Sequence, residues 1–159
     1  MTVMEAIKVP TAADLVARAE ALVPVLRERA AQCEAENKVP DATIRDFQDA
    51  GFFKILQPGR YGGYEMDPEA FYAVQMKVAE GCMSSAWVLG VVAVHNWQLA
   101  LFHPQAQEDV WADDPTTLIS SSYMPRADVT PVDGGYRITG RWGFSSGVDH
   151  CEWAFLGGL

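Results

Sequence analysis

The sequence predicts an α+β fold in which a helical half is followed by β-strands. Apolar residues recur at helical spacing over about residues 11–113, and short β-branched segments follow Pro115. The chain has 159 residues, of which 49% are hydrophobic, so it can bury a substantial core. We therefore expect an all-helical N-terminal domain over residues 1–113 and the first strands of an incomplete β-domain over residues 114–159.

The first two helices follow from their capping residues and their apolar spacing. Thr11 begins the first helix with Asp14 in its first turn, and Pro24 falls inside the pattern, which predicts a kink or a restarted helix. The second helix follows Asp41 and ends near Gly51, a residue type that tolerates the left-handed conformation found at helix ends.

The next three helices include one that is apolar almost all round. A third helix begins near Pro68 and a fifth at Pro104, and Ser84 or Ser85 is expected to cap the fourth. Residues 84–102 are mostly apolar, but polar side chains interrupt them well short of the roughly 20 residues that a membrane-spanning helix needs. We therefore expect a helix buried in the core of a soluble protein, with no membrane partner.

Strand signals follow the helices. Residues 116–123 are β-branched and rich in hydroxyl groups, and Asp133-Gly134-Gly135 separates two short segments as a hairpin turn would. Residues 153–156 form a further strand-like segment. Because so few strands leave open edges and a half-covered face, we expect the chain to be part of a longer protein.

Composition argues against several classes of function. The net charge is −9, which argues against nucleic acid as a partner. The three cysteines are widely spaced, so we expect no disulfide or zinc site and a reducing, cytoplasmic location. Asp149 and His150 could suggest a metal or nucleophile site, but no further ligand stands at metal spacing. We expect no signal peptide, and the sequence has none of the glycine motifs of nucleotide-binding folds.

Polar residues in one predicted helix and one predicted strand could carry chemistry. His95 shares a helix side with Trp87, and it is either a core histidine bonded to a backbone carbonyl or a base that meets a substrate hydroxyl. Ser120, Ser121 and Ser122 follow one another on a strand, so Ser121 faces away from its two neighbours. They are either surface residues or hydroxyls presented to a ligand.

A third candidate is the turn formed by Gly143-Phe144-Ser145-Ser146-Gly147. Glycines let a backbone approach a flat ligand closely, and serine hydroxyls can donate to a ring nitrogen or to a peroxide oxygen. Composition alone is equally compatible with an ordinary loop.

Several segments, taken in order, resemble one known family: Val39-Pro40-Asp41, Gly51-Phe52-Phe53, Leu56-Gln57-Pro58, Tyr61-Gly62-Gly63, Ser85-Ala86-Trp87, Val94-His95-Asn96-Trp97, Ile119-Ser120-Ser121-Ser122-Tyr123 and Phe144-Ser145-Ser146-Gly147-Val148-Asp149-His150. The set resembles the oxygenase component of two-component (group D) flavin-dependent monooxygenases, which have the acyl-CoA dehydrogenase fold. Within this family the set is most similar to the 3-hydroxy-9,10-secoandrostatrienedione 4-hydroxylases, and less so to the 4-hydroxyphenylacetate 3-hydroxylases. Cys151 departs from the family pattern, in which a small residue is expected.

The resemblance implies an architecture and a reaction. The β-strands would begin a β-barrel domain, and a C-terminal helical bundle would be missing from this chain, which alone should be inactive. The complete protein would be a homotetramer that receives reduced FMN or FAD from a separate NAD(P)H:flavin reductase. Oxygen would be held as a C4a-hydroperoxyflavin, which hydroxylates a phenolic aromatic or steroid-derived substrate ortho to its oxygen, without a metal.

The resemblance also implies roles for residues of this chain. His95 and Ser121 would hold the phenolic oxygen, and Ser146, beside flavin N5, would protect the peroxide. Ser145 is the alternative to Ser146 if the alignment shifts by one residue. The expected cofactor contacts are Trp87, which lines the cavity, with Ser122, Tyr123, Ser145 and Ser146.

Three other functions remain open at this point. An acyl-CoA dehydrogenase would share the fold and carry its carboxylate base outside these residues. A relative that oxygenates sulfur or a heteroaromatic ring would have similar pocket residues, and a truncated relative could act only in assembly. His95 and the paired serines Ser145 and Ser146 favour the phenol-hydroxylating oxygenase.

Overall fold

Helices precede strands in the three-dimensional structure, as the sequence predicts. A computed structural model describes residues 9–159. Its α-helices are α1 (Ala12–Glu36), α2 (Asp41–Asp49), α3 (Pro68–Ala79), α4 (Met83–Leu99) and α5 (Pro104–Trp111). Its strands are β1 (Ile119–Ser122), β2 (Ala127–Val132), β3 (Gly135–Gly140) and β4 (Trp153–Leu156). Short 3₁₀ turns cover Phe52–Lys54, Gly59–Tyr61 and Val148–His150.

The start of α1 confirms the predicted cap. Thr11 and Asp14 form a capping box, in which each side chain accepts a hydrogen bond from the backbone N–H of the other. The predicted restart at Pro24 is wrong, because α1 continues through it. Val23 and Leu26 are both buried on either side of Pro24, so packing outweighs the one backbone hydrogen bond that proline removes.

The start of α4 differs from the prediction. Cys82, and not Ser84 or Ser85, occupies the N-cap position, with no side-chain capping bond. The N–H of Ala86 donates to the carbonyl of Cys82 over 3.0 Å, so both serines already lie within the first turn. Within residues 9–159, no helix combines the length and the apolar character needed to cross a bilayer.

The strands form two small pairs. β1 lies parallel to β4, and Ser121 stands opposite Phe155 in this pairing. β2 and β3 form an antiparallel hairpin, as predicted. Its turn is Asp133-Gly134, and Gly134 has a φ of 76°, which favours glycine. Every residue of β3 is exposed.

Two apolar clusters fix the strands against the helices. The larger cluster joins α1, α2, α3 and α4, and Leu118, which precedes β1, packs into it. The smaller cluster contains Leu99, Val110, Trp111 and Ile119, with Phe155 packed against it. β1 is therefore held beside the second half of α4, where the candidate residues of both elements meet.

Trp111 should contribute strongly to the stability of this arrangement. It is 1% exposed, and its ring lies 5.2 Å from that of Tyr61. Trp111→Ala should lower the free energy of unfolding by about 3–5 kcal/mol, measured by urea denaturation, because it leaves a large cavity. Tyr136→Ala, at a position that is 69% exposed, should change it by less than about 0.5 kcal/mol. Similar losses in the two variants would contradict this account of the core.

Candidate functional site

The turn that follows β3 packs directly on α4. Gly147 has a φ of 81°, and a Cβ atom added there would lie 2.6 Å from Val92 Cγ2 and 3.1 Å from Val88 Cγ1. Only glycine fits both this left-handed backbone and this close approach. The turn of residues 143–147, called here the glycine-serine turn, is therefore held in one position against α4.

Three side-chain hydrogen bonds hold the same turn in place. The indole N–H of Trp87 donates to Ser146 Oγ over 3.0 Å. The hydroxyl of Ser122 donates to the carbonyl of Gly143 over 3.0 Å. Cys151 Sγ lies 3.2 Å from the carbonyl of Gly147, and burial raises the pKa of this thiol to about 12. The thiol is thus protonated at neutral pH and can donate, which gives Cys151 a structural role.

A cavity of about 730 Å³ opens between this turn, the start of α4 and the end of α1. The aromatic side chains of Trp87 and Phe144 line it together with Ser145 and Ser146, and Lys38 lies at the α1 end. Phe144 is fully exposed in the described chain. Both the volume and the mixture of aromatic and hydroxyl groups are typical of a small-molecule site.

Two buried polar atoms in the cavity wall have no hydrogen-bond partner among the described residues: Ser145 Oγ and His150 Nε2. Nδ1 of His150 lies 3.4 Å from Asp41 Oδ1. Burial and the nearby Lys38 lower the pKa of His150, outweighing the opposing effects of the Val39 backbone and the nearby carboxylates, so the ring is neutral at pH 7. The sequence considered alone suggests His150 only as part of a metal or nucleophile site and does not predict its place in this wall, because Asp41 and Lys38 are far away in sequence.

His95 lies inside the core, where it is 1% exposed. Its Nδ1 is 2.6 Å from the carbonyl oxygen of Ile119. In the neutral ring this carbonyl requires the proton to be on Nδ1, which leaves Nε2 as an acceptor. Burial lowers the pKa of His95, against the opposing effect of the carbonyl, so the neutral form predominates at pH 7. The rings of Tyr123 and Phe155 approach the imidazole edge-on at 6.0 and 5.6 Å.

The serines of β1 are buried, so the alternative that they are surface residues is wrong. Ser120 donates to the carbonyl of Trp153 over 3.3 Å, and Ser121 is 7% exposed. Tyr123, directly after the strand, donates from its hydroxyl to Gln98 Oε1 on α4 and is 54% exposed. The strand therefore carries hydroxyls next to the His95 region of α4.

The predicted site residues fall into two groups connected by α4. Trp87, Ser145 and Ser146 line the cavity, whereas His95 lies farther along α4, with Tyr123 packed beside it. A rise of about 1.5 Å per residue separates Trp87 and His95 by about 12 Å along the axis, and about 100° of rotation per residue turns them about 80° apart. Trp87 is accordingly 62% exposed while His95 is buried, so the two do not share one side of the helix as expected from their spacing.

The cavity group fits a flat, polar heteroaromatic ring. Aromatic side chains can pack on such a ring, the hydroxyl of Ser146 lines the same space, and the two unpartnered atoms offer further hydrogen bonds. In contrast, the described residues contain no group of three or more His, Cys, Asp or Glu side chains that could hold a metal ion.

Residues 14–114 match the family model of the acyl-CoA dehydrogenase N-terminal domain. The chain belongs to this family. It is 50% identical over 141 residues to the flavin-dependent monooxygenase oxygenase subunit HsaA of Rhodococcus jostii, covering 89% of this chain and 37% of that protein. The crystal structure of the HsaA monooxygenase from M. tuberculosis matches with a TM-score of 0.91 and 45% identity, covering 94% of this chain and 41% of that one.

The chain is also similar to the p-hydroxyphenylacetate 3-hydroxylase oxygenase component of Acinetobacter baumannii. The two are 35% identical over 136 residues, covering 86% of this chain and 32% of that protein. The predicted fold and both predicted resemblances are therefore confirmed. The chain spans about two fifths of the length of the HsaA proteins that it matches.

The close contact of Gly147 with α4 can be tested by substitution. Gly147→Ala should lower the free energy of unfolding by about 1–3 kcal/mol more than Gly134→Ala does, because its new methyl group overlaps Val92. Gly134 is the matched control: its φ of 76° imposes similar backbone strain, but nothing lies within 4 Å of the added atom. Equal losses in urea denaturation would show that the turn does not press on α4.

Proposed function

We propose that this chain is the front part of the oxygenase component of a two-component flavin-dependent monooxygenase. The observation that carries the proposal is the cavity in which Trp87 and the hydrogen-bonded hydroxyl of Ser146 lie side by side. The similarity to oxygenase subunits over most of this chain supports it. Because those relatives are much longer, the reaction belongs to the complete protein.

Reduced FMN or FAD is the proposed cofactor, and no metal takes part. When bound, the reduced flavin supplies the two electrons with which one atom of O₂ enters the substrate and the other leaves as water. In this chain Trp87 and Phe144 would pack along the ring, and Ser146 would face N5, with Ser145 as the alternative. Ser122 and Tyr123 complete the proposed contacts, and Ser122 also fixes the carbonyl of Gly143.

The proposed substrate is a phenolic aromatic or steroid-derived compound that is hydroxylated ortho to its oxygen. Nε2 of His95 would accept the phenolic proton, since the carbonyl of Ile119 holds the other ring proton on Nδ1. Ser121 would hold the same phenolic oxygen. Moving the proton toward His95 increases electron density at the ortho carbon, which makes that carbon a better nucleophile.

The proposal extends to the organisation of the complete protein. The helical domain would cover residues 1–113, and residues 114–159 would begin a β-barrel domain. The complete protein would be cytoplasmic, would form a homotetramer, and would receive its reduced flavin from a separate NAD(P)H:flavin reductase. The described residues themselves change from helix to strand between Trp111 and Ile119.

Reconstitution of the full-length protein tests the proposed reaction. Photoreduced FMN or FAD, isotopically labelled O₂ and a panel of phenols should yield a catechol that carries one labelled oxygen, detected by mass spectrometry. Oxidation of an acyl-CoA thioester with an artificial electron acceptor, without oxygen incorporation, would instead identify an acyl-CoA dehydrogenase. Failure to bind any reduced flavin would leave only a structural role.

His95 should be required for hydroxylation. His95→Ala should lower the hydroxylation rate by ~10²–10⁴-fold, while reduced flavin is still oxidised and hydrogen peroxide is released. Burial lowers the pKa of His95 below 6.5, the usual value for histidine, so the base stays neutral in mildly acidic solution. Wild-type hydroxylation should therefore persist as the pH falls past 6.5, and be lost only once the pH falls below the lowered pKa. Product formation and peroxide release across this pH range provide the measurement.

Two further variants control for loss of fold. His95→Asn keeps an N–H group at the place of Nδ1, where it can reach the carbonyl of Ile119, but removes the base, so it should be as slow as His95→Ala. The same substitution at the exposed His103 should leave hydroxylation at the wild-type rate. Normal hydroxylation by folded His95→Asn would show that His95 is only a core residue.

A further inference from the structure

The hydrogen bond between Trp87 and Ser146 has a defined direction. An indole N–H can only donate, whereas a serine hydroxyl has one proton to donate and two lone pairs that accept. Over the observed 3.0 Å, Ser146 is therefore the acceptor. One lone pair of its oxygen is occupied, and its proton and second lone pair remain for a ligand in the cavity.

The surrounding contacts keep this pair aligned. Gly147, the residue after Ser146, packs closely against Val92 and Val88 of α4. Val88 is in turn the residue after Trp87, so the two partners of the hydrogen bond are adjacent to the two sides of this contact. At the other end of the turn, the hydroxyl of Ser122 donates a hydrogen bond to the carbonyl of Gly143. The backbone of the turn is thus fixed, and the remaining freedom of Ser146 is rotation about χ1, among three staggered positions.

The neighbouring serine shows what this bond adds. Ser145 Oγ is buried and has no hydrogen-bond partner among the described residues, although Ser145 lies in the same cavity wall. Of the two serines, only Ser146 accepts a side-chain hydrogen bond from α4 among the described residues. A bond from Trp87 therefore selects the Ser146 rotamer whose oxygen lies at the cavity.

We propose that Trp87 is a positioning residue that acts through Ser146, by selecting its cavity-facing rotamer and occupying one of its lone pairs. This inference rests on the proposed function, since it assigns Trp87 a task beyond lining the cavity. The consequence is that the hydroxyl of Ser146 meets the cofactor in one orientation. Loss of the indole N–H should then divert electrons from product to hydrogen peroxide, and loss of the hydroxyl in Ser146→Ala should do the same.

Nuclear magnetic resonance on the flavin-free, full-length protein tests the positioning directly. With ¹⁵N-labelled tryptophan, the indole signal that disappears in Trp87→Phe belongs to Trp87. Ser146→Ala should shift that signal upfield and speed its exchange with water, and Ser145→Ala should leave it in place. An unmoved Trp87 signal in Ser146→Ala would overturn the inference, whether or not the proposed reaction is correct.

Peroxide release from the flavin-loaded protein supplies the second readout. Trp87→Phe keeps an aromatic ring in the cavity, and it should raise the ratio of hydrogen peroxide to product about fivefold, the factor for one hydrogen bond of ordinary strength. In the Ser146→Ala background, Trp87→Phe should add nothing. A full additional increase there would show that Trp87 acts on the ligand directly and would overturn the inference.

The control is Trp97→Phe. Trp97 is also on α4 and is 49% exposed, but it does not line the cavity. This substitution should leave both the Trp87 signal and the peroxide ratio unchanged. Because Trp87 is 62% exposed, its replacement by phenylalanine leaves the core intact. A change in the peroxide ratio of the same size in Trp97→Phe would contradict a specific role of Trp87.

Discussion

The contact between Gly147 and α4 is the constraint on which the candidate site depends. A side chain at this position would overlap Val92, so the turn can approach the helix only because position 147 has none. That approach brings Ser146 within hydrogen-bond distance of Trp87 and forms one wall of the cavity. The partly buried thiol of Cys151, which donates to the carbonyl of Gly147, strengthens the same contact.

Helix α4 transmits this constraint to the rest of the site. Its first half meets the glycine-serine turn, and its second half packs against β1 through Leu99 and Ile119. The carbonyl of Ile119 in turn orients the imidazole of His95. One helix therefore sets the relative positions of the proposed flavin contacts and the proposed base, about 12 Å apart along its axis. The proposed chemistry needs both groups to be held in a defined geometry.

Sequence reasoning succeeded where the structure is locally determined. The capping box of Thr11 and Asp14 and the hairpin at Gly134 depend on neighbouring residues only. The start of α4 was misplaced, because the preference of serine for N-caps does not reveal that the carbonyl of Cys82 already accepts the first helical bond. The bond between Trp87 and Ser146 spans 59 residues, and no local pattern predicts it. The same holds for the meeting of His150 with Asp41, which depends on how the turn packs against α1 and α2.

The central claim is that the glycine-serine turn, held on α4, presents the hydroxyl of Ser146 to a reduced flavin. A crystal structure of the full-length protein, prepared without oxygen and with reduced FMN bound, tests it most directly. The account predicts that N5 of the flavin lies within about 3.2 Å of Ser146 Oγ, a hydrogen-bond distance. It also predicts that the bond from Trp87 to Ser146 is intact in that complex. A flavin bound elsewhere, or N5 paired with another residue while Ser146 faces away, would contradict it.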